Sequence, residues 1–508
     1  MAANQPEVVV KQTDFESRIR AEMVADSSTY GGNSDISARK REIRRLADAS
    51  APERRKWLAR GVFFHDEDLL YLKFLIPEGA RVLELGCGTG DLLAALKPSF
   101  GVGVDFSAGM IAQARQAHPD LTFLVGDIED SAFMRSLPGP FDAIVVVDTI
   151  GALDDCQAMF ANLHDLCTRE TRLVVGYFSH VWYPALKLAE ATGMKMPQPP
   201  QNVLSPTDVR ELAALGDFDA VKNETRVLAP VRLFGLGRLV NRFLAPLPLI
   251  RYLCLRHFTV CRSLRRPAEV KSATVVIPAR NERGNIEAAV KRIPRFAESL
   301  EIIFVEGHSA DGTWEEIERV AAAHPDYDIK AMRQPGTGKG DAVFVGFEAA
   351  RGDVLMILDA DLTMPPEQLP KFWDAIRSGK GEFVNGSRLV YPMEEQAMRF
   401  LNLVANKAFS VLFTWLLSQR FTDTLCGTKA MCRSDYARIK AARSYFGEFD
   451  PFGDFELIFG ASKLGLKAVE IPIRYRSRTY GETQISRFRH GFMLLRMVLF
   501  AFMRIKAM

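Results

Sequence analysis

Gly352-Asp353-Val354-Leu355-Met356-Ile357-Leu358-Asp359-Ala360-Asp361-Leu362-Thr363 reads as an apolar strand that runs straight into two carboxylates one residue apart. Asp359 and Asp361 stand at i and i+2 where the apolar run stops, so the ending strand can aim both at one crevice along the carboxyl edge of a sheet. Such a pair suits a hard dication, Mg²⁺ or Mn²⁺, which binds through one or two carboxylates and the phosphates of a substrate. A bare Asp-x-Asp is common in solvated loops. The buried-type strand before it and the motifs around it favour the metal site here.

The same alternation of strand, acidic or small polar turn, and helix surrounds this stretch. Ala273 to Ile277 leads into Pro278-Ala279-Arg280-Asn281-Glu282, and Glu301 to Val305 into Glu306-Gly307-His308-Ser309-Ala310-Asp311-Gly312-Thr313. Polar groups at the carboxyl ends of parallel strands form a crevice that fits a nucleotide. Gly336-Thr337-Gly338-Lys339-Gly340 fails the Walker pattern, since Arg333 and Gly340 stand where Gly and Ser or Thr belong, yet its glycines and Lys339 can close over a diphosphate. Asn385-Gly386-Ser387-Arg388 ends a further strand, and Asp423 to Lys429 forms another turn. Asp454, with Glu456 second, is a candidate base for a hydroxyl acceptor. The alternative is a helix N-terminus stabilised by its own acids. A phosphate acceptor would need no base.

In this order the motifs resemble those of a family 2 glycosyltransferase with the GT-A fold, close to the polyprenyl-phosphate, dolichol-phosphate-mannose type. The resemblance implies a nucleotide-diphosphate sugar donor contacted by Pro278, Ala279, Asn281, Glu282, Glu306, Asp311, Lys339, Asp359 and Arg388. It implies a cation on Asp359 and Asp361, with Asp361 also in the catalytic set. Arg478 and Thr483, in the basic turn Ile471 to Thr483, would face the acceptor. Where the family carries Asp-Asp, this chain has Glu306-Gly307.

The first half repeats the logic with a different ligand chemistry. Arg81-Val82-Leu83-Glu84-Leu85 turns through Gly86-Cys87-Gly88-Thr89-Gly90 into a helix, and Val102 to Val104 ends in Asp105, placed to accept hydrogen bonds from ribose hydroxyls. Gly126-Asp127-Ile128 and Asp148 follow later strands. Gly90 comes too early for the dinucleotide fingerprint. The run resembles the class I S-adenosylmethionine-dependent methyltransferases. By position this implies Glu84, Gly86, Cys87, Gly88 and Gly90 along the methionine part, Asp105 on the ribose, and Asp127 with Ile128 beside adenine. His65, Asp148, Tyr177 and His180 are candidates for a base, and the absence of an Asn-Pro-Pro-aromatic motif favours an oxygen acceptor.

The expected fold class is α/β: two Rossmann-like domains, a class I methyltransferase seven-stranded sheet and a GT-A sheet, with C-terminal amphipathic helices. The expected division is a polar arm over 1–50, a methyltransferase over 51–266 with a basic apolar excursion at 230–254, a linker at 267–271, a glycosyltransferase over 272–487 and an amphipathic helix over 488–508. The length of 508 residues suits two cores, and a net charge of +3 is too small to imply nucleic acid. Seven cysteines without a Cys-x-x-Cys argue against a disulfide framework or zinc site. The start lacks the apolar core of a signal peptide, so a cytoplasmic location is expected, with peripheral contact at the inner face of the cell membrane as its variant. The function expected is metal-dependent, inverting sugar transfer to a polyprenyl-phosphate, glycolipid or glycan acceptor, with methylation, on oxygen by preference, in the same pathway. Two alternatives stay open: a first domain that binds S-adenosylmethionine without turnover, and a nucleic-acid methyltransferase. Against the second, arginines alternate with aliphatic residues and no RNA-binding module is visible.

Overall fold

The computed structural model describes residues 36–391, 400–446, 453–476, 478, 480 and 495–508. The chain forms two compact units that meet in sequence between Arg266 and Pro267.

In the first unit seven strands, β1 (Arg81–Leu85), β2 (Phe100–Asp105), β3 (Thr122–Val125), β4 (Phe141–Val147), β5 (Cys167–Phe178), β6 (Phe218–Arg226) and β7 (Arg256–Ser263), lie in the order β3-β2-β1-β4-β5-β7-β6. β7 runs antiparallel to β5 and β6, and the other pairs are parallel. Leu83, Val102, Leu124, Ile144 and Leu173 are fully buried in the core, as expected of parallel strands covered on both faces. Strand order reverses between β1 and β4, which opens the crevice at the carboxyl tips of β1 and β2.

A helix runs from Ala38 to Arg60, with Ser37 accepting from the backbone N–H of Lys40. The boundary expected at residue 50 therefore falls inside a helix. Its first turns are pinned to the sheet: Arg39 donates to the carbonyls of Gly151 and Leu153, and Asp48 accepts from Ser107 Oγ and, at 3.0 Å, from Gly109 N. These polar residues look like a solvated arm in sequence because their partners lie far along the chain.

The second unit has β8 (Ser272–Ala279), β9 (Ser299–Glu306), β10 (Asp328–Arg333), β11 (Val354–Ile357), β12 (Phe383–Ser387), β13 (Lys429–Cys432) and β14 (Ala468–Pro472), in the order β10-β9-β8-β11-β13-β12-β14. β13 alone is antiparallel to its neighbours. β11 sits mid-sheet with Val354 to Ile357 buried on both faces, which fixes the height of Asp359 and Asp361 above the sheet edge. Among the described residues no helix is long and apolar enough to cross a membrane.

Candidate active sites

At the tip of β1, Gly86 takes φ +75°, and a Cβ there would lie 2.0 Å from Thr149 Oγ1, so conformation and space both demand glycine. The Thr149 hydroxyl lies 3.1 and 3.0 Å from the carbonyls of Leu85 and Val147, joining the tips of β1 and β4. Asp105 accepts from Gly88 N and Ser107 N at 2.9 Å each, which clamps the glycine turn against β2. Glu84 is buried and accepts from Leu93 N at 3.0 Å. Burial pushes its carboxyl up to about 8, and a ligand ammonium beside it would restore the carboxylate. Cys87 and Gly90 complete the turn, Cys87 buried and Gly90 in the left-handed region.

Asp127 is shared. Lys40 Nζ meets its Oδ2 at 2.5 Å and also pairs with Glu129, while Glu129 N donates to Oδ1 at 3.0 Å. The Ile128 side chain belongs to the core. An adenine amino group at this position would therefore have to share Asp127 with Lys40, a residue the sequence reading left in the arm.

Beside the turn lies a cavity of about 380 Å³ whose lining includes His65, Asp68, Glu84, Gly86, Gly88 and Asp148. Arg256, on β7 and fully buried, pairs with Asp148 and, at 2.9 Å, with Asp68 Oδ2. Rings of Phe178, Phe64 and Phe258 surround the guanidinium at 4.7, 5.4 and 5.5 Å. Asp68 Oδ1 is buried without a hydrogen-bond partner among the described residues, and burial pushes this carboxyl up to about 7. His65 is held below its ordinary value by burial. Tyr177 and His180 line a separate, smaller hollow, and burial pushes the Tyr177 phenol up to about 12. Of the expected bases, His65 and Asp148 thus reach this cavity; Asp68 and Arg256 were missed, because an acid inside an apolar helical pattern and an arginine in a basic run carry no local signal.

In the second unit the tips of β8, β9 and β11 converge. Asn281, at φ +56°, accepts on Oδ1 from Ala310 N at 2.9 Å, and Ser309 N donates to Glu306 Oε1 at 2.5 Å, so the turns after β8 and β9 brace each other. Pro278 and Ala279 are the last residues of β8. Asp311 accepts from Thr313 N at 3.1 Å, Arg283 N at 3.2 Å and the Tyr480 hydroxyl at 3.3 Å. Lys339 Nζ meets Asp359 Oδ1 at 2.5 Å. Against the upward push of burial, Lys339, with Lys429 and Arg388 behind it, holds the Asp359 carboxyl below the usual carboxylate range. Arg478 bridges Asp361 Oδ2 at 2.7 Å and Glu282 Oε1 at 3.4 Å, while Asp361 Oδ1 accepts from Thr363 N and Oγ1 at 3.1 and 2.8 Å.

Asp359 and Asp361 supply carboxylate oxygens at one tip, and among the described residues no third His, Cys, Asp or Glu completes a cage. That set fits Mg²⁺ or Mn²⁺, which keep water and take substrate phosphates at the remaining positions. Each aspartate already faces a basic side chain that can release it toward phosphate. The site is also crowded: a Cβ at Gly427 would lie 2.2 Å from both Asp359 Oδ2 and Lys339 Nζ. Gly427→Ala is therefore expected to part that pair and lower kcat/KM of any reaction at this tip about tenfold, about 1.4 kcal/mol of transition-state stabilisation. Steady-state kinetics beside an unchanged melting curve checks it.

Three expected residues are committed elsewhere. Arg388 makes a bidentate pair with the buried Asp423 at 2.7 and 2.8 Å, so its fork is spent on the fold rather than held out for a donor. Asp454 begins the helix Asp454–Lys463 and pairs with the fully buried Lys429 at 2.8 Å. Glu456 diverges from it and pairs with Arg443 at 2.7 Å. Thr483 lies outside the described residues.

Residues 82–170 match the family profile described as Methyltransferase domain, and residues 274–438 the one described as Glycosyl transferase family 2. The chain is 29% identical over 218 residues to a dolichol-phosphate mannosyltransferase of Pyrococcus furiosus, covering 42% of this chain and 58% of that protein. It is 29% identical over 219 residues to a polyprenol monophosphomannose synthase of Mycolicibacterium smegmatis, covering 42% of this chain and 80% of that one. A solved SAM-dependent methyltransferase of Thermotoga maritima is similar at 19% identity and a TM-score of 0.34, covering 43% of this chain and 99% of that one.

Proposed function

We propose that this chain, which joins a methyltransferase domain to a family 2 glycosyltransferase domain, is two transferases in one polypeptide. In this reading the second unit moves a sugar, with inversion, from a nucleotide-diphosphate donor to a polyprenyl phosphate at the membrane's inner face, and the first methylates a hydroxyl oxygen on the same route. The observation that carries it is the β11 tip, where Asp359 and Asp361 face Lys339 and Arg478. The relatives named for dolichol-phosphate and polyprenol support the acceptor.

Asp359 and Asp361 would hold a dication, which supplies positive charge to the leaving diphosphate. Lys339 and Arg478, released from the aspartates, would pair with phosphate oxygens. Asn281, Glu282, Glu306 and Asp311 would shape the nucleoside end. Because Asp454 is neutralised by buried Lys429, no free carboxylate is offered there as a base. A phosphate oxygen, already an anion, attacks the anomeric carbon without one. The test is to incubate the protein with a panel of nucleotide sugars, Mn²⁺ and polyprenyl phosphate, and to read product masses. The reading expects polyprenyl phosphate plus one sugar residue; transfer only to hydroxyl acceptors would overturn it.

In the first unit Glu84 would take the ammonium and Asp105 the ribose hydroxyls of S-adenosylmethionine, which supplies the methyl group. Asp68, with its unpartnered Oδ1 at the cavity wall, is positioned to accept the acceptor hydroxyl's proton, while Arg256 and Asp148 orient it. With that carboxyl pushed up to about 7, the ionised base is absent well below that pH. Methyl transfer to the glycolipid product is then expected to rise as pH passes through 7 and to level off above it. Asp68→Asn should flatten the rise and cut the rate about 10²-fold while S-adenosylmethionine affinity holds. A pH profile unchanged in that variant removes Asp68 from the role.

A further inference from the structure

We propose that residues 231–253 of the first unit form a tip that inserts into the headgroup region of an anionic bilayer. Between β6 and β7 the chain leaves the sheet and makes only short helical turns, Leu233–Gly235, Leu236–Leu239, Val240–Leu244 and Ile250–Leu253. The side facing the protein is small and polar. Asn241 is buried, accepting from Ala229 N at 2.8 Å and donating to Ala229 O at 2.9 Å, with Gly237, Ala245 and Cys254 beside it as further buried residues. Trp182 Nε1 donates to Leu253 O at 2.9 Å and pins the far end.

The large apolar side chains point the other way. Phe234 is 109% exposed, Leu249 85%, Tyr252 65% and Leu236 60%. An ordinary surface segment has the opposite polarity, and contiguous apolar exposure of this kind marks an interaction site. Leu233 and Phe234 are held at φ 43° and 54°, a region that non-glycine residues occupy at a cost, so the backbone is strained where it carries Phe234 outward.

Charge selects the occupant. Arg232, Arg242 and Arg251 lie in this stretch with no acidic residue in it, Arg238 pairs with Glu67 at 3.5 Å, and Arg242 and Arg251 lie over the rings of Phe243 and Tyr252 at 5.4 and 5.6 Å. Aliphatic and aromatic side chains flanked by arginines match acyl chains below anionic headgroups, with the tyrosine at headgroup depth. A second copy of the chain would set the arginines against one another. The proposal concerns the bilayer and its test uses no nucleotide sugar, so it can fail while the lipid-phosphate reading stands.

All seven cysteines are buried, so a cysteine added at the surface can be labelled selectively. The full chain carrying Phe234→Cys, and separately Lys56→Cys as an exposed control, is labelled with an environment-sensitive dye and mixed with vesicles of pure phosphatidylcholine or of equal parts phosphatidylcholine and phosphatidylglycerol. Expected is a blue shift and at least a threefold loss of iodide quenching at 234, none at 56, with anionic vesicles only and reversed by high salt. The variant Leu249→Gln with Tyr252→Gln, whose side chains are exposed and leave the fold intact, should float with anionic vesicles at least tenfold less than the unchanged chain. A dye at 234 that stays open to iodide while the protein floats would overturn the proposal. So would protection at 234 without vesicles, in step with dimer formation.

Discussion

Asp361→Asn is expected to lower sugar-transfer kcat/KM about 10³-fold. Asparagine keeps a side-chain oxygen for Thr363 but loses the charge that meets Arg478 at 2.7 Å. Two observed interactions weaken together, the pair that keeps Arg478 at the mouth and, through Arg478, the link to Glu282, and in the proposed function a carboxylate ligand to the cation would be lost with them. Removing one preorganised electrostatic group from an active site costs about 10²–10³ in rate, and in the proposed function this group would hold the cation as well as pair with Arg478, which places the effect at the upper end. Asp361 is partly accessible at the end of a turn rather than packed in the core, so the melting temperature should hold. Normal turnover by a normally folded variant would be a clear failure.

Asp105→Ala is expected to weaken S-adenosylmethionine binding about 10³-fold, with sugar transfer unchanged. In the proposed role Asp105 would make two charge-assisted hydrogen bonds to ribose hydroxyls, contributing about 2 kcal/mol each, and about 4 kcal/mol corresponds to about 10³ in Kd. The same carboxylate also accepts from Gly88 N and Ser107 N, so its loss loosens the turn that carries Gly86 and Gly88. Calorimetric titration reads the affinity, and sugar transfer in the same preparation reads whether the other unit is untouched. A fall in both activities together would contradict two separable sites.

Acids and glycines at strand ends were legible in the sequence because the local chain alone sets them: an apolar run fixes the strand, and the residue after it must sit at the sheet edge. Gly86, directly after β1, and Asp105, the last residue of β2, are of this kind, and Asp359 and Asp361 follow β11 within four residues. Residues whose roles depend on which distant element packs beside them were not legible. Lys40 and Asp48 look solvated until the helix Ala38–Arg60 lies on Asp127 and Ser107. Asp68 is an acid inside a helical apolar pattern, and its partner Arg256 comes from β7, nearly two hundred residues along the chain. Arg388 stands at a strand end like the others, but buried Asp423 claims it. The divergence of Asp454 and Glu456 could have been foreseen: two residues apart in a helix, side chains do not face each other.

Crystals grown with manganese and, in turn, UDP or GDP would test the β11 tip most directly. The account predicts one anomalous peak within about 2.2 Å of a carboxylate oxygen of Asp359 or Asp361, lost in Asp361→Asn. Manganese bound elsewhere, or a peak that survives that substitution undiminished, would contradict it.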